Sequence, residues 1–262
     1  MYAPMYVSLK ILSVLTTATL VGSALPAVAQ FSPPVNRPGL ERRTVTTTTG
    51  TYFRPPRDSR PAGDSTTTGT RSGGCLGLTD TPFTLLGPTA VLGQTTAERP
   101  EFVWHLPEID GSFPVVFRLL APDSEGIPDL VHSDVLDYAA GFSSYQLPAS
   151  VPALPPGVAY RVQVYVECNP NYPSQDLVQE VPFEVVAAPP TLGAALTAAS
   201  TDAERAIAYG QAGLWYDALA EVAPGSSDTD RQTRRQLLLD LAASLDGDSE
   251  ALGEALEAIA GP

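Results

Sequence analysis

The chain has 262 residues, 44% of them apolar and only 17% charged, with 26 prolines, 21 glycines and a formal net charge of -14. An acidic surface of this kind repels polyanions, so bulk electrostatics exclude nucleic acid as a partner. Lys10 is the only lysine, which excludes a Schiff-base lysine in a mature domain, and two Cys, two His and two Met leave little for a metal cage or a haem site. No cofactor and no metal are expected.

In residues 1–29, Lys10 ends a short leading region, an apolar run follows from Ile11 to Leu25, and Ala27-Val28-Ala29 closes it. This reads as an export signal with a small-x-small cleavage site, giving a mature chain from Gln30 that is periplasmic or extracellular. Thr16, Thr17, Thr19, Ser23 and Pro26 break the apolar run, and no later stretch reaches about 18 uninterrupted apolar residues. No stable membrane insertion is therefore expected after cleavage; an uncleaved signal anchor is the alternative.

Residues 30–74 are dominated by Pro, Gly, Ser and Thr, with tracts at Thr46 to Thr49 and Thr66 to Thr68. Such a segment buries too little apolar area to offset its ordering entropy and is predicted to be a disordered linker. From Phe31 to Gly74 it carries seven Arg against Glu41, Asp58 and Asp64, whereas residues 75–262 carry seven Arg against 26 acids. A basic arm leaving an acidic body would touch anionic envelope polymers, fold back on the body, or serve as a solubilising spacer.

Across 75–188, Pro and Gly recur about every ten residues around β-branched and aromatic runs, which predicts an antiparallel β-sandwich. Phe102, Trp104 and Leu106 alternate with Val103 and His105, so Trp104 is assigned to the core and His105 to the solvated face. Tyr160, Val162, Val164 and Val166 alternate with polar residues after Leu154-Pro155-Pro156-Gly157. A Leu-x-Pro-Gly turn three residues before a strand-opening Tyr resembles the tyrosine corner of immunoglobulin-like and fibronectin type III sandwiches, in which the phenol bonds to upstream backbone. Cys75 opens this region and Cys168 follows its central strand; export makes a Cys75–Cys168 disulfide the default, against two free thiols with one as a nucleophile.

After Pro189-Pro190, Ala, Leu, Asp and Glu take over at helical spacing, and 191–262 reads as a small α-helical domain. Thr201-Asp202-Ala203-Glu204 is a capping box launching a helix to about Ala212. A second helix carries Trp215, Ala218, Leu219 and Val222 and stops at Pro224-Gly225, and others follow from about Asp230 to Leu245 and Ser249 to Ala260. Tyr209, Gly213 and Ala218 match a tetratricopeptide hairpin, and Gly213 to Gly247 is one 34-residue period. Trp215 shares the packing face; Tyr216, about 100 degrees round the helix, is the candidate partner contact together with the 237–245 helix.

Gly73-Gly74-Cys75, the 93–107 stretch with Thr95-Thr96, Pro100, Phe102 and Trp104, Cys168-Asn169-Pro170 and Gly213-Leu214-Trp215-Tyr216-Asp217-Ala218-Leu219 together resemble the bacterial family called domain of unknown function 928. The resemblance runs from about residue 72 to 245. It implies an exported protein without assigned activity and supplies no catalytic or binding residues.

The chain has no G-x-S-x-G, H-E-x-x-H, P-loop or G-x-G-x-x-G motif, and no catalytic residue is assigned. Asp246, Asp248, Glu250, Glu254 and Glu257 fit a calcium-loop count, but Ala251 stands where that loop turns on Gly, so a capped helix with an acidic face is expected. Ser143 and Ser144 lack the second Gly of a nucleophile elbow and read as strand residues. The expected function is that of an exported, non-catalytic envelope module docking or assembling with an envelope protein partner. The alternative is an envelope hydrolase or glycan-acting enzyme using paired carboxylates, for which Asp134 to Tyr138, with Asp137 beside Tyr138, is the nearest candidate.

Overall fold

The computed structural model describes residues 51–56, 74–223, 225–245 and 249–261. The export signal, most of the arm, Asp246 and Asp248 lie outside the described residues. All described residues belong to one compact unit, Thr49–Pro262.

Among the described residues, eight strands form two sheets. The three-stranded sheet has the order β1 (Thr84–Leu85), β3 (Glu101–Leu106), β6 (Gly141–Gln146); the five-stranded sheet has the order β2 (Gly93–Thr95), β8 (Leu177–Val185), β7 (Ala159–Val166), β4 (Val115–Pro122), β5 (Pro128–Leu136). Pairing is antiparallel except for β2, whose three residues run parallel to the end of β8, Gly93 opposite Phe183. That one pair departs from the expected all-antiparallel arrangement, because the chain leaves β2 directly for the opposite sheet. Alternation in β7 holds as read: Tyr160, Val162, Val164 and Val166 are buried. Their neighbours Arg161 and Gln163 face outward and meet Glu180 of β8. Phe102 lies between the sheets, its ring centroid 4.8 Å from Phe183 and 5.8 Å from Phe117. Trp104 is buried beside it in the same core.

His105 corrects the sequence reading. It is buried rather than solvated, because β3 is the middle strand of its sheet and residues of two later helices, Arg234 and Ile259 among them, lie over its neighbour Phe142 on the outer face. Phe142, its cross-strand neighbour, packs edge-on against the imidazole at 5.4 Å and lies under the Arg234 guanidinium at 4.3 Å. Burial pushes the imidazole below its ordinary value, opposed by the Pro82 carbonyl.

Cys75 and Cys168 form the disulfide, tying the entry of the sandwich to the end of β7. Cys168 is further held by its amide, which donates to Asp176 Oδ1 at 3.1 Å.

Among the described residues five helices follow: α1 (Leu192–Ala198), α2 (Asp202–Gln211), α3 (Trp215–Val222), α4 (Asp228–Ala243) and α5 (Glu250–Ala260). The capping box forms in full, Glu204 N donating to Thr201 Oγ1 and the Glu204 carboxylate accepting from the Thr201 amide. Gly213, at φ +83°, makes the left-handed turn between α2 and α3. α1 has no counterpart in the sequence reading; it is short and buries only Leu192, too little for a periodic signal.

Candidate functional site

The helix α3 is buried along most of its surface, with Asp217, Ala220 and Glu221 half-buried. It lies between α2 and α4 on one side and β2 and β3 on the other, and the run that opens it is aimed at the sandwich. Trp215 Nε1 donates to Leu86 O at 3.0 Å. The Tyr216 ring sits 5.1 Å from Phe102 and 5.8 Å from Phe183. Asp217 accepts the Thr96 amide at 3.0 Å and the Thr96 hydroxyl at 2.8 Å. Burial raises the Asp217 carboxyl, against lowering by its bonds to Thr96 and Thr95.

Tyr216 is therefore not an exposed partner contact: it is 2% exposed and belongs to the core. The sandwich makes room for its ring with glycine, since a Cβ on Gly93 would stand 2.5 Å from Tyr216 Cε2. Within the 237–245 stretch expected to share that surface, Leu237, Leu238 and Leu241 are buried too, whereas Ala243 and Ser244 are exposed. Burial pushes the Tyr216 phenol well above its ordinary value.

The arm folds back on the body, one of the outcomes its charge left open, through contacts that its composition did not identify. Residues 51–56, within the segment predicted to be disordered, lie against α2, α3 and α4. The amides of Tyr52 and Phe53 both donate to Asp240 Oδ2, at 2.5 and 2.9 Å, while Gln236 Nε2 fixes the other carboxylate oxygen at 2.8 Å. The Arg54 amide donates to Gly210 O at 3.2 Å. Phe53, 2% exposed, packs edge-on against Trp215 at 4.8 Å. Two glycines shape the floor: a Cβ on Gly210 would stand 2.2 Å from Tyr52 O, and one on Gly213 2.5 Å from Pro56 Cγ. The signal was present in the sequence, since Tyr52-Phe53 is an aromatic pair in otherwise Pro- and Thr-rich chain, separated by Arg54 alone from Pro55-Pro56.

The residues weighed for chemistry fall elsewhere. Asp134 and Asp137 are both exposed. Asp134 accepts from Tyr145 Oη at 3.0 Å, and that hydroxyl also meets His132 Nε2 at 2.8 Å. Burial first, and Asp134 second, push the Tyr145 phenol up to about 12, so this trio acts as a neutral-phenol clasp joining β5 to β6. Tyr138 Oη donates to Pro107 O at 2.7 Å, and Ser143 Oγ donates to Ala139 O. Among the described residues no group of three or more His, Cys, Asp or Glu could hold a metal ion. A cleft beside Phe142 carries Arg231, Arg234 and Arg235, yet each guanidinium is engaged: Arg231 with Asp228, Arg234 with the Val222 and Ala223 carbonyls, Arg235 with Gly261 O.

The arrangement holds an extended segment of the chain's own backbone through Asp240 and Gly210. The family model described as Domain of Unknown Function (DUF928) matches residues 66–249. Its span takes in both cysteines, the sandwich and the run from Gly213 to Leu219. A comparison with curated proteins found no match.

Proposed function

From the chain's membership of the Domain of Unknown Function (DUF928) family, which names no activity, we propose that it is an exported, non-catalytic envelope module mediating protein–protein interaction or assembly. The observation that carries this reading is the helical groove that holds an extended segment through Asp240, Gly210 and the Phe53 pocket. We read the sheets as an immunoglobulin- or fibronectin III-like sandwich and α2–α3 with α4–α5 as tetratricopeptide-like hairpins, a pairing commonly employed in docking. Support for export comes from the Cys75–Cys168 disulfide, which suits an oxidising compartment. Among the described residues no helix is long and apolar enough to cross a membrane, which accords with it.

The test is a photo-crosslinking residue at Gln211, exposed at the end of α2 beside the groove, with Ser133 on β5 as the control position. In intact cells Gln211 should yield a discrete adduct with a second protein that Ser133 does not. Equal labelling at both positions, or none at Gln211, removes the reading.

A further inference from the structure

Resting on that reading, we propose that residues 51–56 are an exchangeable ligand carried in cis, and that their groove is a binding site for an extended, neutral-to-basic partner peptide of aromatic-x-Pro-Pro chemistry. Three observations on the segment lead there. First, the groove reads mostly main chain: two consecutive amides go to one Asp240 oxygen and a third to Gly210 O. Such contacts are open to any chain that can lie extended there. Second, side-chain selection is confined to a few places, the aromatic pocket at Trp215 and the seat over Gly213 that Pro56 fills. Proline at that seat arrives with its backbone already restricted, which lowers the entropy lost on docking. Third, residues 57–73 contain Ala62 as their single apolar residue, so the docked piece is a short motif whose C-terminal flank offers almost nothing to a core.

Charge sets the partner's sign. The 75–262 body carries 26 acids against seven Arg, while the arm that supplies the resident ligand is net basic. A partner segment with acidic flanks would meet repulsion; a neutral or basic one would not.

Tethering explains why the groove is closed at rest. A ligand on a short connection reaches an effective concentration in the millimolar range, so a free peptide binds only the fraction of molecules whose arm is open, and its apparent affinity falls by that fraction. The partner must therefore bring contacts beyond the motif, or displace the arm by presenting several copies.

A fluorescent synthetic peptide of residues 49–58 is titrated against the full chain and against the same chain carrying Tyr52→Ser and Phe53→Ser. The arm-disabled chain should bind at least about tenfold more tightly than the wild type, and Asp240→Ala added to it should reverse that gain. Equal affinity for the two chains overturns the proposal. Should the arm-disabled chain fail to fold, the wild-type chain is cut by trypsin at Arg57 or Arg71 and incubated with excess labelled peptide. Replacement of the cut fragment by the peptide supports exchange; a fragment that stays in place makes the segment a permanent part of the fold and overturns it. A concentration-dependent dimer that Phe53→Ser abolishes would assign the groove to a second copy and overturn the partner-peptide assignment. Failure of exchange with the Gln211 adduct intact removes this inference alone, whereas exchange without an adduct removes the proposed function.

Discussion

Tyr216 and Trp215 show what single positions reveal. The Trp-Tyr-Asp run fixes a helix start and an apolar face, and Trp215 packs as that face requires. Rotation by about 100 degrees moves Tyr216 off the face, but a wheel predicts exposure only if one side of the helix is covered. The sandwich covers the other side of α3, and nothing local to residues 213–219 encodes that. The distant signal was Gly93, whose missing Cβ admits the ring. Tyr216→Ala is expected to cost about 3–5 kcal/mol in urea unfolding, the range for emptying a large aromatic site. Tyr216→Phe should cost under about 1.5 kcal/mol, because the hydroxyl's contact with Pro182 O is long at 3.5 Å. Equal losses for the two would show that the hydroxyl rather than the ring holds the joint.

Elements were legible where their own sequence closes them. The α2 capping box needs only four consecutive residues, and it forms as read. Its pH dependence follows from Glu204, held below its ordinary 4.5 by the Ser200 and Thr201 amides. A carboxylate depressed in the folded state contributes stability above its unfolded value and loses it as pH falls through the folded one. Asp217 runs the other way, since burial raises it above its ordinary 3.8; its ionisation weakens the fold as pH rises from that value. Thermal melts between about pH 5 and 3 should therefore decline less for Glu204→Gln than for the wild type, and parallel curves would show that the cap carries no charge dependence.

Gly210 is the element-scale counterpart of the arm. An interior helix glycine replaced by alanine ordinarily gains up to about 1 kcal/mol. Here the added Cβ would meet Tyr52 O at 2.2 Å, a backbone atom that yields only if the arm leaves. Gly210→Ala is expected to destabilise the chain instead, by loss of the Phe53–Trp215 contact, with Trp215 fluorescence reporting the change in wild type against Trp104→Phe background. A stabilised Gly210→Ala chain would mean that the arm contributes nothing to the fold. Composition could not show this docking, because six residues are averaged away within a 45-residue linker, whereas the aromatic pair taken by itself points to a buried anchor.

At the scale of the whole molecule, the sandwich and the helices share a single hydrophobic cluster running from Phe53 through Phe102 and Tyr216 to Leu256 and Ile259. The composition break at Pro189-Pro190 marks a change of secondary structure, and across it Trp215 bonds Leu86 while Asp217 bonds Thr96. The Cys75–Cys168 bridge closes a sequence separation of 93 residues within the sandwich, worth roughly 4–5 kcal/mol in the chain-entropy model. With a common core that loss is felt by both parts together. Reduction with dithiothreitol should lower the midpoint seen by Trp104 fluorescence, in a Trp215→Phe background, and the midpoint seen by far-ultraviolet helix signal by the same amount, with the two curves superimposed before and after. If the tryptophan transition moved while the helical signal kept its midpoint, the joint at α3 would be a contact between separately folding parts, and Tyr216 would fill an interface between them instead of the centre of one core.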